Sequence, residues 1–207
     1  MTIKTIIFDF GNVLYYPPNL DWFNRWKKVL GLSGNANIEA MIANPDDSEY
    51  MRDVFIGKIS EKEMWAGVIE KLGLKQNQFD YFYKRFSSKR RLNKPMVKLL
   101  EELHQDYQTA ILSNAGDQTR TIIVDVLELD RWVETIIISA EVKMAKPGAE
   151  IYELALERLG ALPEECLFID DQMPNVTAAK ALGMQAVQFT ANDRTIRTIR
   201  EILAQED

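Results

Sequence analysis

Two adjacent carboxylates, Asp170-Asp171, close the apolar run Cys166-Leu167-Phe168-Ile169. Side by side at a strand terminus they repel each other unless a cation intervenes, so the pair is a fair metal signal. Three further apolar runs end on side chains able to do chemistry. Thr5-Ile6-Ile7-Phe8 is followed by Asp9-Phe10-Gly11-Asn12, a carboxylate at the tip with glycine just beyond, although a structural acid or a turn would explain Asp9 alone. Thr109-Ala110-Ile111-Leu112 leads into Ser113-Asn114-Ala115-Gly116, where a hydroxyl and an amide can meet an oxyanion; Ser-Asn is also ordinary turn chemistry. After Ile136-Ile137-Ile138 comes Lys143-Met144-Ala145-Lys146-Pro147-Gly148, in which Pro147 restricts the backbone of Lys146. Most lysines are simply solvated. Taken in order, a nucleophile candidate, a hydroxyl, a lysine and an acidic pair at successive strand ends argue against coincidence, because open α/β sheets bind ligands outside the carboxyl ends of their strands.

The elements that must position these residues are legible in outline. Short apolar runs, ending with Ala186-Val187, alternate with helical patterns, which reads as a parallel α/β sheet. Asn93 reads as an N-cap with Pro95 in the first turn, Gly160 and Gly183 as helix stops, and Asp193 to about Gln205 as a closing helix. The gap of about 95 residues between the first two runs far exceeds a βαβ crossover and has helical periodicity. Within it Asp21–Leu30, Ile38–Ala43, Glu49–Phe55, Glu61–Leu72 and Gln78–Phe86 are expected helices, the fourth opened by a Ser60/Glu63 capping box. We therefore expect residues 16–88 to form a helical cap, with 1–15 and 89–207 as an α/β core. Trp22, Phe23 and Trp26, or Phe79, Phe82, Tyr83 and Phe86, are better read as the cap's own core than as stacking stripes for a substrate.

Composition removes several function classes. The 207 residues are 46% apolar, enough for a substantial core. No run approaches the roughly 20 apolar residues that span a bilayer, so no membrane association is expected and the cytoplasm is the expected location. A formal charge of −6, with Lys89-Arg90-Arg91 as the compact basic cluster, speaks against a nucleic-acid partner. Cys166 is expected to be an inert packed thiol. The lone histidine, His104, cannot build a His-rich metal site and lies far in the chain from any strand-end motif, so carboxylates must carry the chemistry.

At these four motifs the chain resembles the haloacid-dehalogenase superfamily, in the branch whose helical cap is inserted after the first strand. The resemblance spans essentially the whole chain. It implies a Rossmann-like parallel sheet with helices on both faces and a small α-helical cap. It further implies that Asp9 attacks phosphorus, that Phe10, Gly11, Ser113, Asn114 and Lys146 contact the phosphoryl group, and that Asp9, Gly11, Asp170 and Asp171 hold Mg2+. Asp171 matches the more constant metal ligand. The expected partner is a small phosphorylated metabolite, and the expected reaction is hydrolysis through an aspartyl-phosphate. Physical chemistry agrees, since a carboxylate repels a phosphate unless a hard cation and an ammonium offset the charge.

Two positions depart from the family pattern. A second aspartate usually follows the nucleophile two residues on and shuttles a proton; here that position is Gly11. Asn12 stands where glycine is usual. The Asp-Phe-Gly-Asn-Val-Leu form is similar to a bacterial branch near glucose-1-phosphate phosphatases and the phosphatase domain of epoxide hydrolases, and a sugar 1-phosphate, with its good leaving group, suits a missing acid. The competing readings are a 2-haloacid dehalogenase, which needs neither metal nor proton, and a phosphate-binding protein that has lost turnover. The intact acidic pair weighs against the first of these.

Overall fold

A computed structural model describes residues 2–16, 49–73, 75–77, 80, 84 and 91–205. Strands β1 (Thr5–Phe8), β4 (Gln108–Ser113), β5 (Thr135–Ile138), β6 (Cys166–Asp170) and β7 (Gln185–Gln188) form a parallel sheet in the order β5-β4-β1-β6-β7. Each strand contains the apolar run expected for it. A second, antiparallel pair joins β2 (Tyr15–Tyr16) to β3 (Arg91–Leu92). Two-residue strands carry no readable periodicity, and this pair was not foreseen.

Near-continuous apolar runs are what a sheet covered on both faces requires. Successive side chains divide between the two faces: Ile6, Phe8, Ile111, Leu167 and Ile169 enter one core, and Ile7, Ala110, Leu112, Cys166 and Phe168 the other. The first core is covered by α3 (Lys94–Leu103) through Met96, Leu99 and Leu100 and by α6 (Asn192–Ala204) through Ile199. The second is covered by α4 (Ala149–Leu159) through Ile151, Tyr152 and Ala155 and by α5 (Met173–Ala181) through Val176 and Ala179. Cys166 is fully buried there and its thiol is pushed up to about 11 by burial, so the packed-thiol reading holds.

Of the helices expected between the first two runs, α1 (Glu49–Phe55) and α2 (Glu61–Leu72) are present with those bounds. Ser60 and Glu63 make the reciprocal capping box, and Gly73 closes α2 in the left-handed conformation. Asp21–Leu30, Ile38–Ala43, most of Gln78–Phe86 and the aromatic sets lie outside the described residues, as do Lys89 and Arg90. Gly160 stops α4 at φ 60°. Asn93 occupies the N-cap position of α3 with Pro95 in the first turn, but its amide makes no cap hydrogen bond. It donates instead to the Val13 carbonyl and to Asn192 Oδ1, both at 2.8 Å, tying the β1 loop to the starts of α3 and α6. Among the described residues, no helix is long and apolar enough to cross a membrane.

Candidate active site

The chain leaves β1 toward β4 and leaves its other neighbour, β6, toward β7, in opposite directions, and the crevice outside the carboxyl ends of these three strands is where such a sheet binds ligands. Asp9 follows β1, held by its N–H to the Ile169 carbonyl at 2.8 Å. Ser113 ends β4 and Asp170 ends β6. Lys146 reaches in from the loop before α4.

The Lys146 ammonium is the hub. It donates to Asp9 Oδ1 at 2.8 Å, to the Leu112 carbonyl at 2.9 Å and to Asp170 Oδ2 at 2.6 Å, which uses all three of its hydrogens. Its side chain is 1% exposed. Burial pulls its pKa down, but the charges of Asp9 and Asp170 outweigh that and hold it above the ordinary lysine value. Burial likewise pushes Asp9 up to about 7, against the pull of Lys146 and with help from Asp170 and Asp171. Asp171, half-buried, is also raised, chiefly by burial.

Asp9, Ser113 and Asp170 stand at strand ends, while Lys146 joins them from beyond the helical turn Ser139–Val142 and not from the end of β5, and several side chains take duties not read from the sequence. Both atoms of the Asn114 amide face the Lys146 backbone: Nδ2 donates to its carbonyl and Oδ1 accepts from its N–H, each at 2.8 Å. Asn114 thus clamps the lysine-bearing loop, leaving one amide hydrogen for an oxyanion. The Lys146–Pro147 peptide is cis. Ser113 is buried beside this clamp, and Ser139 bonds both the N–H and the carbonyl of Ala115.

Asn175 was missed altogether. From the first turn of α5 its Nδ2 donates to both oxygens of Asp170, at 3.0 and 3.1 Å, and its carbonyl accepts from the Tyr152 hydroxyl at 3.0 Å. The Gln172 N–H adds a further bond to Asp170 Oδ1 at 2.8 Å. Asp170 therefore accepts four hydrogen bonds from the protein, whereas among the described residues the Asp171 carboxylate accepts from one other side chain, Asn12 Nδ2 at 3.0 Å. A polar residue just after the Asp-Asp pair, on the helix face that buries Val176 and Ala179, was the available signal for Asn175. Phe10 buries its ring against Tyr15 in a parallel stack at 4.8 Å, leaving only its backbone for a ligand.

Gly11 has an ordinary negative-φ backbone, and a β-carbon there meets no described atom within 4 Å. Nothing among the described residues therefore stands against a side chain's first carbon at this position. Gly11→Asp is expected to fold like the wild type. It should flatten the dependence of kcat/KM on leaving-group pKa across a series of phosphate esters, with gains of up to about 10²- to 10⁴-fold for the poorest leaving groups. Parallel slopes for the two proteins would place the proton source elsewhere.

Two contacts bring the segment between β2 and β3 onto the strand-end loops. The Glu61 N–H at the start of α2 donates to Asp117 Oδ1 at 2.9 Å, and Gly116 leaves the room that the Glu61 carboxyl group occupies. Gly57, at φ 62°, lies so close to the Ala140 carbonyl that any β-carbon would collide with it.

Asp9, Asp170 and Asp171 each offer a carboxylate oxygen within 4.8 Å of the others, at the ligand-binding end of a parallel α/β sheet. Residues 3–183 match the model of the haloacid dehalogenase-like hydrolases, and the chain belongs to that hydrolase family. The pig (Sus scrofa) bifunctional epoxide hydrolase 2 is 25% identical over 218 residues, covering 98% of this chain but only 39% of that protein's length. The sesquiterpene phosphatase astK of Aspergillus oryzae is 25% identical over 204 residues, which is 98% of this chain and 97% of that protein. A HAD family enzyme from Bacteroides thetaiotaomicron, solved with magnesium and inorganic phosphate, superposes with a TM-score of 0.73 at 25% identity, over 91% of this chain and 95% of that one.

Proposed function

We propose that this hydrolase is a magnesium-dependent phosphatase acting on a small phosphorylated metabolite through an aspartyl-phosphate on Asp9. The observation that carries the reading is the single ammonium of Lys146 set among three buried or half-buried carboxylates. With all of them ionised, three negative charges and one positive leave the site at −2, the complement of a divalent cation. The donors are hard oxygens, which suit magnesium better than zinc. Asp9 and Asp171, with the Gly11 carbonyl, would hold the ion, and Asp170, its four protein hydrogen bonds in place, would add its negative charge to the site. When bound, magnesium supplies the charge that keeps Asp9 ionised and offsets its repulsion of the phosphate.

The chain's own residues then do the following. Lys146 grips Asp9 Oδ1, so Oδ2 is the oxygen that bonds to phosphorus as the P–O ester bond breaks and the leaving oxygen takes up a proton from water. Ser113, the free amide hydrogen of Asn114 and the backbone N–H groups of Phe10 and Gly11 bind the phosphoryl oxygens. Water next attacks the aspartyl-phosphate, releasing inorganic phosphate and restoring Asp9. Gly11 provides no proton, which favours substrates with good leaving groups, a sugar 1-phosphate among them. Residues 16–88 are the cap that selects the substrate; the contacts of Gly57 and Glu61 with the strand-end loops support that assignment.

Activity on an aryl phosphate should vanish in excess EDTA and return with Mg2+. Its pH dependence has a definite sign. Because Asp9 titrates at about 7 without the ion, protons compete with Mg2+ below that value. The apparent affinity should therefore fall by up to about tenfold per pH unit below 7 and level off above it, as titration calorimetry at several pH values would show. Full turnover in EDTA overturns the metal assignment, and chloride release from a 2-haloacid under those conditions would establish the dehalogenase instead.

A further inference from the structure

Asn12 stands where the family usually has glycine, and its backbone is left-handed, at φ 58°. That conformation disfavours a β-carbon, although asparagine tolerates it better than most residues. A glycine would sit there without strain, so the side chain invites a reason of its own. The turn that carries it is well fastened: the Asn12 N–H donates to the Tyr15 carbonyl at 2.7 Å, and the Leu14 and Tyr15 N–H groups both reach the Phe10 carbonyl at 3.0 Å. From this turn Nδ2 donates 3.0 Å to Asp171 Oδ2, across 159 residues of sequence.

The neighbouring acid needs no such help. Asp170 is held by Gln172, Asn175 and Lys146, while among the described residues Asn12 is the one side chain that bonds the Asp171 carboxylate, Gln188 holding instead its backbone carbonyl at 2.9 Å. We propose that Asn12 is a positioning residue for the divalent cation, fixing the Asp171 carboxylate through Oδ2 so that its remaining lone pairs are presented beside Asp9. The inference rests on the magnesium reading above and extends it. The nucleophile's own loop thereby sets the orientation of a ligand carried by β6, and the donated hydrogen bond offsets part of the repulsion between Asp171 and Asp170 before the ion arrives.

Asn12→Gly is the decisive variant, because it removes the amide and leaves a residue well suited to φ 58°. Titration calorimetry of metal-free protein with MgCl2 should show a Kd weaker by about 10- to 100-fold, the usual cost of losing a partner that orients a metal ligand. The Tm of the metal-free variant should equal or exceed that of the wild type. Asn12→Ala, strained at the same φ, should lose the same affinity with a lower Tm, separating orientation of the ligand from backbone comfort. Asp171→Asn should bind no Mg2+. An unchanged Kd in folded Asn12→Gly, with binding lost in Asp171→Asn, overturns the role of Asn12 and leaves the phosphatase reading standing. Absence of Mg2+ binding by the wild type overturns both.

Discussion

Asp9→Asn should remain folded and lose turnover on any phosphate ester by at least about 10⁴-fold, the scale on which removal of a covalent nucleophile is felt. The amide is nearly isosteric with the carboxylate, and its oxygen can still accept from Lys146 Nζ, now at 2.8 Å from Asp9 Oδ1. What disappears is the second anionic oxygen. Stability adds an independent check with a definite sign. In the folded protein Asp9 titrates at about 7 instead of its ordinary 3.8, so between those values the native state binds more protons than the unfolded chain. Its contribution to stability is therefore complete at low pH and is lost as the pH rises through that window. Asparagine does not titrate. Without metal, Asp9→Asn should gain stability relative to the wild type on going from pH 5 to pH 8, measured by urea unfolding. Comparable phosphate release by the folded variant would remove Asp9 from its role.

The second large effect is expected at Lys146. Replacing it by methionine keeps most of the buried aliphatic stem but withdraws three hydrogen bonds at once. Asp170, fully buried, then loses its counter-charge, and the Leu112 carbonyl loses its donor. Breaking a buried pair from one side costs about 3–5 kcal/mol. For a chain of this size that corresponds to a fall in Tm of roughly 6–20 °C. Turnover should be lost as well. Lys146→Arg should fall between the two, since it restores charge but spreads it over a planar fork that cannot reproduce a three-point grip. Thermal unfolding of the metal-free proteins followed by circular dichroism checks the order wild type, arginine, methionine. A methionine variant as stable as the wild type would mean that the carboxylates around Lys146 take up protons and neutralise themselves.

Local patterns along the chain mark out the parallel sheet and the chemical vocabulary of the site. Apolar runs bounded by polar residues mark all five strands of the parallel sheet, since a strand buried on both faces must be apolar throughout. Ser60 and Glu63 mark the start of α2 for an equally local reason: both halves of the capping box lie within one helical turn. Asp9, Ser113 and Asp170 were legible because strand ends converge wherever strands are parallel, whereas Lys146 is carried in from beyond β5 by the helical turn Ser139–Val142 and the loop that follows. How these groups are held follows from contacts between elements distant in the chain. The grip of Asn114 on the Lys146 backbone, the bond from Asn12 to Asp171 and the support of Asp170 by Asn175 join separate elements through single polar atoms. Such bonds leave no periodicity in the chain, and an asparagine in a turn or at a helix start looks the same whether it caps, turns or orients a ligand. Asn93 is the clearest case: its position as an N-cap was legible, but packing α3 against α6 turned its amide away from the helix and onto Val13 and Asn192. The shift of Asp9 toward neutrality is likewise a property of the assembled sheet, because desolvation and the charges beside it exist only once β1, β4 and β6 have met.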